Sequence, residues 1–171
     1  MKKHKIAVVG LGQRGLGWVT HVLCRPDTEL IAVCDVYEDR VQDMVKLAKK
    51  HEQEDLLKYA VTDYRELLDK KDIEIVIVVV AWEKHAEISV AFMEAGIITA
   101  LEVGGAYSLQ DCYSLVTAYE KTKTPFFFME NCCYGKRETM LLNMVKEGVF
   151  GEVVHCTGSY CHDLREEISS G

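Results

Sequence analysis

A glycine-rich turn between two apolar segments, within residues 5–35, constrains the fold more than any other stretch of this chain. The segment Ile6-Ala7-Val8-Val9 reads as a strand, and Gly10-Leu11-Gly12-Gln13-Arg14-Gly15 follows it and opens an amphipathic run. In such a unit the first glycine permits a tight exit from the strand, the second lets a pyrophosphate approach the backbone, and the third packs the helix on the sheet. The helix amino terminus then offers N–H groups and a positive dipole end to phosphates.

An acidic residue after the second apolar segment extends this pattern. Asp35 follows Leu30-Ile31-Ala32-Val33-Cys34, about 20 residues after Gly15. A carboxylate here accepts hydrogen bonds from both ribose hydroxyls of an adenosine and repels a 2′-phosphate, which favours NAD over NADP. Two alternatives stay open: an ordinary strand-to-helix turn, and an S-adenosylmethionine site, which also uses a glycine turn and an acid. Gly15 at the third position favours the dinucleotide.

The composition is that of a folded globular protein and argues against several partners. The chain has 171 residues, of which 49% are hydrophobic and 27% charged, with a net charge of −7. Since the charge is negative and no basic stripe is present, we expect no nucleic-acid partner. No apolar run approaches the roughly 18 residues of a membrane span, so no membrane partner is expected. Gln13 and Arg14 cut short the only stretch that resembles a signal peptide, which predicts a cytoplasmic protein.

The cysteines do not predict a disulfide framework or a metal site. Seven cysteines form no Cys-x-x-Cys pair and are odd in number, so neither a disulfide scaffold nor a zinc ribbon is indicated. Neighbouring side chains on a strand point to opposite faces, which argues against a metal cluster built from His155, Cys156, Cys161 and His162. We expect no metal, a structural role for Cys132 and Cys133, and reduced core positions for most of the cysteines.

Strand-like and helix-like segments alternate from residue 5 to residue 130, which predicts an α/β fold with a right-handed, doubly wound parallel (Rossmann) sheet. The apolar, β-branched run at 73–80 suits a central parallel strand buried on both faces. Beyond the first two strands, the expected strands are 59–61, 73–80, 97–103 and 126–130. The first expected helix carries Leu16, Val19, Val22 and Leu23 at helical spacing, and the others span 38–51, 64–70, a segment ending at 95, and 109–121. In the last of these, one apolar stripe is formed by Leu109, Cys112, Val116 and Tyr119.

The character of the sequence changes from Tyr134 onward. Residues 136–146 predict a helix with Met140, Leu141, Met144 and Val145 facing inward. Residues 152–162 alternate like a strand, yet no neighbouring strand is evident to pair with them.

With these residues placed, the chain resembles the Gfo/Idh/MocA family of NAD(P)-dependent sugar oxidoreductases over essentially its whole length. More narrowly, it resembles the branch of NAD-dependent glycoside hydrolases that act on N-acetylgalactosamine. The matching segments are Gly10-Leu11-Gly12-Gln13-Arg14-Gly15, Trp82-x-x-His85, Glu102-Val103, Glu130-Asn131-Cys132-Cys133-Tyr134-Gly135, and Gly158-Ser159-Tyr160-Cys161-His162-Asp163-Leu164-Arg165. The last two segments are the most specific.

The resemblance implies a two-domain organisation. Residues 1–131 would form the Rossmann NAD-binding domain, and 132–171 the connecting helix and first strand of an incomplete α+β domain for substrate binding and oligomerisation. The chain is then expected to be a fragment or truncated gene product, or to dock its last segment on another chain. A homo-oligomer or a partner chain is therefore expected.

The resemblance also implies a chemistry in which NAD is recycled. Hydride leaves the sugar C3, the ketone acidifies the C2 proton, the C1 substituent is eliminated, water adds, and the hydride returns. Tyr134, Tyr160 and His162 are the expected acid/base groups. Tyr160 and His162 are two apart on the predicted strand and so share a face; the competing interpretation is a packed tyrosine and a solvated histidine.

One departure from the family pattern bears on this chemistry. Many members have Glu-Lys-Pro at the end of the fifth strand, where the lysine shuttles protons. Here the triplet is Glu102-Val103-Gly104. A simple alcohol dehydrogenase reaction that uses this lysine is therefore not expected, whereas the glycosidase branch tolerates the valine.

The expected cofactor-binding residues extend beyond the glycine turn. Arg14 would lie over the pyrophosphate, Trp82 would stack on or wall off the cofactor, and Glu102 would contact the nicotinamide ribose. His85 lies at the carboxyl end of the sheet, and Asn131 would bond the cofactor amide. The competing interpretations are a solvated charge for Arg14, a core residue for Trp82, a surface carboxylate for Glu102, a helix cap for His85 and a turn residue for Asn131. The full expected set is Gly10, Gly12, Gln13, Arg14, Gly15, Asp35, Trp82, His85, Glu102 and Asn131.

Two classes of function follow from these expectations. In the first, the protein is an NAD-dependent oxidoreductase acting on a small-molecule sugar or glycoside, including by redox-assisted hydrolysis. In the second, it is a noncatalytic NAD-binding fragment or assembly subunit.

Overall fold

The computed structural model describes residues 2–130, 132–159, 161, 163 and 165, and it divides into two compact units, Met1–Glu130 and Asn131–Gly171. The strands of the first unit are β1 (His4–Val9), β2 (Thr28–Cys34), β3 (Tyr59–Val61), β4 (Ile75–Val78), β5 (Ile98–Leu101) and β6 (Phe126–Phe128). The helices are α1 (Gln13–Cys24), α2 (Glu38–Lys50), α3 (Trp82–Glu94) and α4 (Leu109–Thr122) in the first unit, and α5 (Lys136–Lys146) in the second.

The six strands of the first unit form one parallel sheet in the order β3-β2-β1-β4-β5-β6. The chain runs outward from β1 to β3, returns to β4 beside β1, and runs outward again to β6. The strand order therefore reverses between β1 and β4, which is the place where ligands bind in open α/β sheets. The predicted doubly wound fold is confirmed.

Alternate residues of the strands enter two separate hydrophobic clusters, one on each face of the sheet. Ile6, Val8 and Ile77 pack with the apolar sides of α1 and α2. Ala7 and Val76 belong to the other cluster, which includes residues of α3 and α4. Because both faces are covered, strands of this kind are apolar along their whole length, as the run at 73–80 predicts.

Several boundaries and faces differ from the predictions. The segment 64–70 forms only a short 3-10 helix, Tyr64–Leu67, and Leu16 in α1 is exposed rather than packed. In α4 the apolar stripe that contains Val116 and Tyr119 is exposed, and the helix instead buries Leu115 and Ala118. Since α4 is apolar on two adjacent sides, periodicity alone does not determine which side is buried.

The second unit overturns two predictions about side chains and strands. Met140, Leu141 and Val145 of α5 are exposed, because the described part of this unit supplies no second apolar layer to cover them. The described residues 152–159 lie outside any strand; a strand is stabilised by pairing, and this segment has no neighbour in the described residues. The remainder of the predicted strand includes Tyr160 and His162, which lie outside the described residues.

The expectation that most cysteines lie in the core is wrong. Cys34 is buried and the other six cysteines are exposed. Burial raises the pKa of the Cys34 thiol to about 12, with the Asp35 carboxylate adding to the effect. Cys34 is therefore a neutral core residue at physiological pH.

Candidate cofactor-binding site

The glycine turn after β1 is held by contacts that exclude larger side chains. Gly10 has a φ of +94° and donates its N–H to the carbonyl of Cys34 at 2.8 Å. A Cβ at Gly10 would collide with the Val79 carbonyl, and one at Gly15 with the carbonyl of Gly10. The first and third glycines are therefore required by the close packing of β1, β4 and α1.

The second glycine leaves space at the amino terminus of α1. Gly12 is the N-cap residue and provides no side-chain capping bond, and a Cβ built there would meet Arg40 Nη1 only at 3.9 Å. The amides in the first turn of a helix have no intrahelical acceptor. An open backbone surface beside such amides has the space and the hydrogen-bond donors that a pyrophosphate needs, so the residues at this end of the cleft fit the cofactor.

Asp35 lies just after β2 and is fixed by two backbone donors. Its Oδ2 accepts a hydrogen bond from Leu11 N at 2.6 Å, and its Oδ1 accepts one from Tyr37 N at 3.0 Å. Its side chain is 7% exposed, and Arg40 Nη1 lies 3.8 Å from Oδ2. The carboxylate is thus oriented before ligand binding, and its remaining lone pairs suit ribose hydroxyls.

A cleft of about 370 Å³ brings these groups together. It is lined by Gly10, Gly12 and Asp35 of the predicted set, and by Tyr37 and Arg40, which the sequence analysis missed. The Arg40 guanidinium lies 4.7 Å from the centroid of the Tyr37 ring. Arg40 lies in the first turn of α2, five residues after Asp35, and that spacing was a usable signal for a residue lining the same cleft.

A second group of polar side chains joins the end of β5 to α1. Glu102 Oε2 accepts hydrogen bonds from Arg14 Nε at 3.0 Å and from the Trp18 indole Nε1 at 2.5 Å. Glu102 Oε1 accepts one from Val103 N at 3.0 Å. Burial raises the pKa of Glu102, but the bonds from Trp18, Val103 and Arg14 outweigh burial and hold that pKa below its ordinary value. Glu102 is therefore ionised and paired, rather than a solvated surface carboxylate.

Trp82 packs against the turn that replaces the Glu-Lys-Pro lysine. A Cβ at Gly104, whose φ is +101°, would lie 2.6 Å from the Trp82 indole nitrogen. The indole is nevertheless 57% exposed at the start of α3. The ring is thus an accessible aromatic surface at the carboxyl end of the sheet, and its contact with the cofactor stays a prediction.

His85 is placed differently from the other predicted site residues. It is 1% exposed, and its Nε2 lies 2.9 Å from the Val80 carbonyl oxygen, an arrangement in which Nε2–H donates. Among the described residues, its Nδ1 has no hydrogen-bond partner. Burial lowers the pKa of His85. The hydrogen bond from the ring stabilises the turn between β4 and α3. Val80 and Ala81 of this turn line the cleft, so the position of His85 is that of a residue that supports the wall of the cleft.

The candidate catalytic residues are only partly described. Tyr134 lies in the 3-10 helix Cys132–Tyr134 and is 81% exposed. A shallow cleft of about 560 Å³ lies beside it on α5. Asn131, Tyr160 and His162 lie outside the described residues. Their predicted roles remain predictions.

Neither a metal site nor a membrane-spanning helix is found among the described residues. No group of three or more histidine, cysteine or acidic side chains there has the arrangement of a metal site. Among the same residues, no helix is both long and apolar enough to cross a bilayer.

Comparison with known proteins shows what this fold and site are similar to. Residues 4–129 match the Gfo/Idh/MocA oxidoreductase family, NAD-binding Rossmann fold. Residues 134–171 match the glycosyl hydrolase 109 C-terminal domain.

Curated relatives and solved structures extend over more than this chain. A glycosyl hydrolase family 109 protein from Shewanella sp. strain ANA-3 is 36% identical over 170 residues, which are 98% of this chain and 37% of the relative. The alpha-N-acetylgalactosaminidase of Shewanella oneidensis is 35% identical over 170 residues, with the same shares of 98% and 37%. The chain thus spans little more than a third of the length of these relatives.

Solved structures agree on the fold. Scyllo-inositol dehydrogenase from Lactobacillus casei, with bound NAD(H) and scyllo-inositol, superposes with a TM-score of 0.77 at 18% identity, covering 88% of this chain and 43% of that one. Myo-inositol 2-dehydrogenase from Lactobacillus plantarum gives a TM-score of 0.75 at 19% identity, covering 90% of this chain and 44% of that one. The glycine turn, the sheet order and the match over residues 4–129 together show that the chain belongs to the Gfo/Idh/MocA oxidoreductase family through its NAD-binding Rossmann domain.

Proposed function

We propose that this chain carries the cofactor-binding part of an NAD-dependent enzyme that acts on a glycoside of N-acetylgalactosamine by redox-assisted cleavage. The observation that carries the proposal is the joint presence of a preformed NAD cleft around Gly12 and Asp35 and a match to the glycosyl hydrolase 109 C-terminal domain at residues 134–171. Relatives bearing glycosidase names are similar over 98% of the chain.

The residues of the first unit bind and orient the cofactor. The amides at the amino terminus of α1 bind the pyrophosphate, and the Asp35 carboxylate accepts the ribose hydroxyls. Bound NAD supplies a hydride acceptor that later returns the hydride to the sugar. Trp82, on the exposed carboxyl end of the sheet, shields the reacting face from water.

The acid/base groups in this proposal are Tyr134, Tyr160 and His162. Val103 occupies the position of the family's lysine and carries no ionisable group, so proton transfer has to come from other side chains. A phenol and an imidazole span the pKa range that C2 deprotonation and leaving-group protonation need. Hydride removal at C3 is what makes the C2 proton acidic enough for such weak bases.

A noncatalytic NAD-binding subunit is the second candidate. It is favoured by one observation: every residue that lines the cleft lies between Val9 and Ile88, within the first unit. Cofactor binding alone therefore does not require the residues that would hold a sugar.

Calorimetric titration of the whole chain with NAD+ and NADH, followed by assay with p-nitrophenyl N-acetyl-α-D-galactosaminide, separates the two candidates. Cofactor binding together with release of p-nitrophenol supports the enzyme. Binding without turnover supports the noncatalytic subunit. A wild-type chain that binds neither form of the cofactor would contradict both.

We also propose that the protein is cytoplasmic and associates with a second copy or a partner chain. Six of its seven cysteines are exposed, an arrangement that suits a reducing compartment. β6 is the last strand of its sheet and exposes Phe127 and Phe128, and an apolar edge of this kind is stabilised by a covering partner. Size-exclusion chromatography with light scattering tests the association.

A further inference from the structure

The contact between Glu102, Arg14 and Trp18 joins two parts of the fold that are distant in sequence. Glu102 follows β5, while Arg14 and Trp18 lie one turn apart in α1, 88 and 84 residues away along the chain. The Arg14 Nη2 atom also approaches Glu102 Oε1 at 3.5 Å, so the guanidinium faces the carboxylate edge-on. This geometry fixes the direction of the arginine as well as its charge.

The exposure of the partners differs sharply. The Glu102 side chain is 8% exposed, whereas that of Arg14 is 60% exposed. The carboxylate is therefore an internal anchor, and the arginine still reaches solvent at the helix amino terminus. An arginine has five N–H donors, so contact through Nε and Nη2 leaves donors for an anion.

The topology places this cluster on one half of the dinucleotide site. In a sheet of this order, one mononucleotide binds on each side of the switch point between β1 and β4. Asp35 follows β2, on the half that would hold the adenosine in the proposed function. Glu102 follows β5, so its contact with Arg14 lies on the other half, the side that would hold the nicotinamide and its phosphate.

We propose that Glu102 is a positioning residue, which, together with Trp18, holds the Arg14 guanidinium in place to bind the nicotinamide-side phosphate. In this arrangement Glu102 does not itself contact the nicotinamide ribose, which departs from the role predicted for it from the sequence. The proposal rests on NAD binding by the Rossmann domain and not on the glycoside chemistry.

The test is a double-mutant cycle on the whole chain, read by calorimetry with NAD+, ADP-ribose and AMP. R14M should weaken binding of NAD+ and ADP-ribose about tenfold and of AMP less than twofold, because AMP lacks the second phosphate. E102Q should weaken NAD+ and ADP-ribose binding about threefold to tenfold. In the R14M background, E102Q should cause no further loss, because Glu102 acts through Arg14.

W18F and D27N serve as the second variant and the control. W18F removes one donor to Glu102 and should reproduce part of the E102Q effect, again only when Arg14 is present; it keeps the proposal testable if E102Q fails to fold. D27N removes the exposed partner of Arg25, 2.7 Å away just past the end of α1, and should leave all three affinities unchanged.

Two outcomes would overturn the proposal while leaving the cofactor site intact. One is a loss from E102Q that persists in the R14M background, which would mean that Glu102 contacts the ligand directly. The other is an R14M variant that binds ADP-ribose like wild type. A wild-type chain that binds no NAD+ is a different failure and would refute the proposed function instead.

Discussion

Asp35 illustrates how a single residue can join two elements of the fold and also face the candidate cofactor cleft. Its carboxylate accepts hydrogen bonds from the amides of Leu11 and Tyr37, so it joins the glycine turn to the start of α2. The same carboxylate faces the cleft that includes Gly12. Its orientation is therefore set by the backbone before any ribose arrives.

We expect Asp35→Ala to weaken NAD+ binding tenfold or more, which corresponds to about 1.4 kcal/mol. Two effects add: the ribose acceptor is lost, and two backbone amides lose the partner that shapes the cleft. Calorimetry measures the affinity, and Asp43→Ala, which removes an exposed partner of Lys46 on α2, is the matched control. Equal affinity of Asp35→Ala and wild type would remove Asp35 from the site.

His85 makes the stability of the fold depend on pH. The buried ring donates Nε2–H to Val80, and a proton on Nδ1 would have no acceptor among the described residues. Burial accordingly lowers the pKa of His85, below the value of about 6.5 that it has in the unfolded chain. At pH values between the two pKa values, the unfolded state binds the extra proton and the folded state does not.

The His85 contribution is therefore complete above pH of about 6.5 and is lost as the pH falls toward the folded pKa. We expect the free energy of unfolding of wild type to decrease by up to about 1.4 kcal/mol per pH unit from this one group over that interval. His85→Gln should flatten the profile, as measured by urea denaturation between pH 5.5 and 7.5. His21→Gln, at an exposed position, should keep the wild-type slope, and an equally steep profile for His85→Gln would contradict the assignment.

At the scale of elements, α1 contains a matched pair of glycines with opposite expected effects. A Cβ at Gly15 would collide with the carbonyl of Gly10, whereas a Cβ at Gly17 would meet nothing within 4 Å. Both lie in the same helix. Gly15 is therefore required by packing, whereas Gly17 only increases the conformational entropy that the chain loses on folding.

We expect Gly15→Ala to lower the free energy of unfolding by about 1–3 kcal/mol, because it forces α1 away from the glycine turn. Gly17→Ala should raise it by about 0.5–1 kcal/mol, since alanine is the better helix former. Urea denaturation of the two variants and wild type gives both numbers. Destabilisation of similar size in both would show that helix propensity, and not contact with Gly10, explains the third glycine.

The sequence predicted the elements whose signals are local and missed what depends on distant contacts. The glycine turn and Asp35 were predictable because the spacing of glycines after an apolar strand encodes the turn directly. The contact between Glu102 and Trp18 was not predictable, since the two residues are 84 positions apart and no local pattern links them. The buried side of α4 was not predictable either, because Leu115 and Val116 are both apolar and only tertiary packing determines that Leu115 is buried.

At the scale of the whole molecule, the candidate cofactor cleft belongs to one unit. Both hydrophobic clusters and the complete lining of the cleft are formed by residues no later than Met129. The candidate acid/base residues Tyr134, Tyr160 and His162 all come later in the chain. The residues that line the cleft and the residues proposed for the sugar chemistry are therefore encoded in separate segments.

We expect residues 1–130, expressed alone, to unfold in one cooperative transition and to bind ADP-ribose within about threefold of the whole chain, because a domain with its own core folds independently. ADP-ribose is the informative ligand, since it lacks the nicotinamide that Asn131 is predicted to contact. Any difference between the two forms of the protein should then be confined to NAD+. Asp35→Ala in the shorter form is the control and should reproduce the loss seen in the whole chain. If ADP-ribose binds the shorter form tenfold more weakly, residues after 130 must support the ADP-ribose part of the site, and recognition of that part would not be confined to the Rossmann unit.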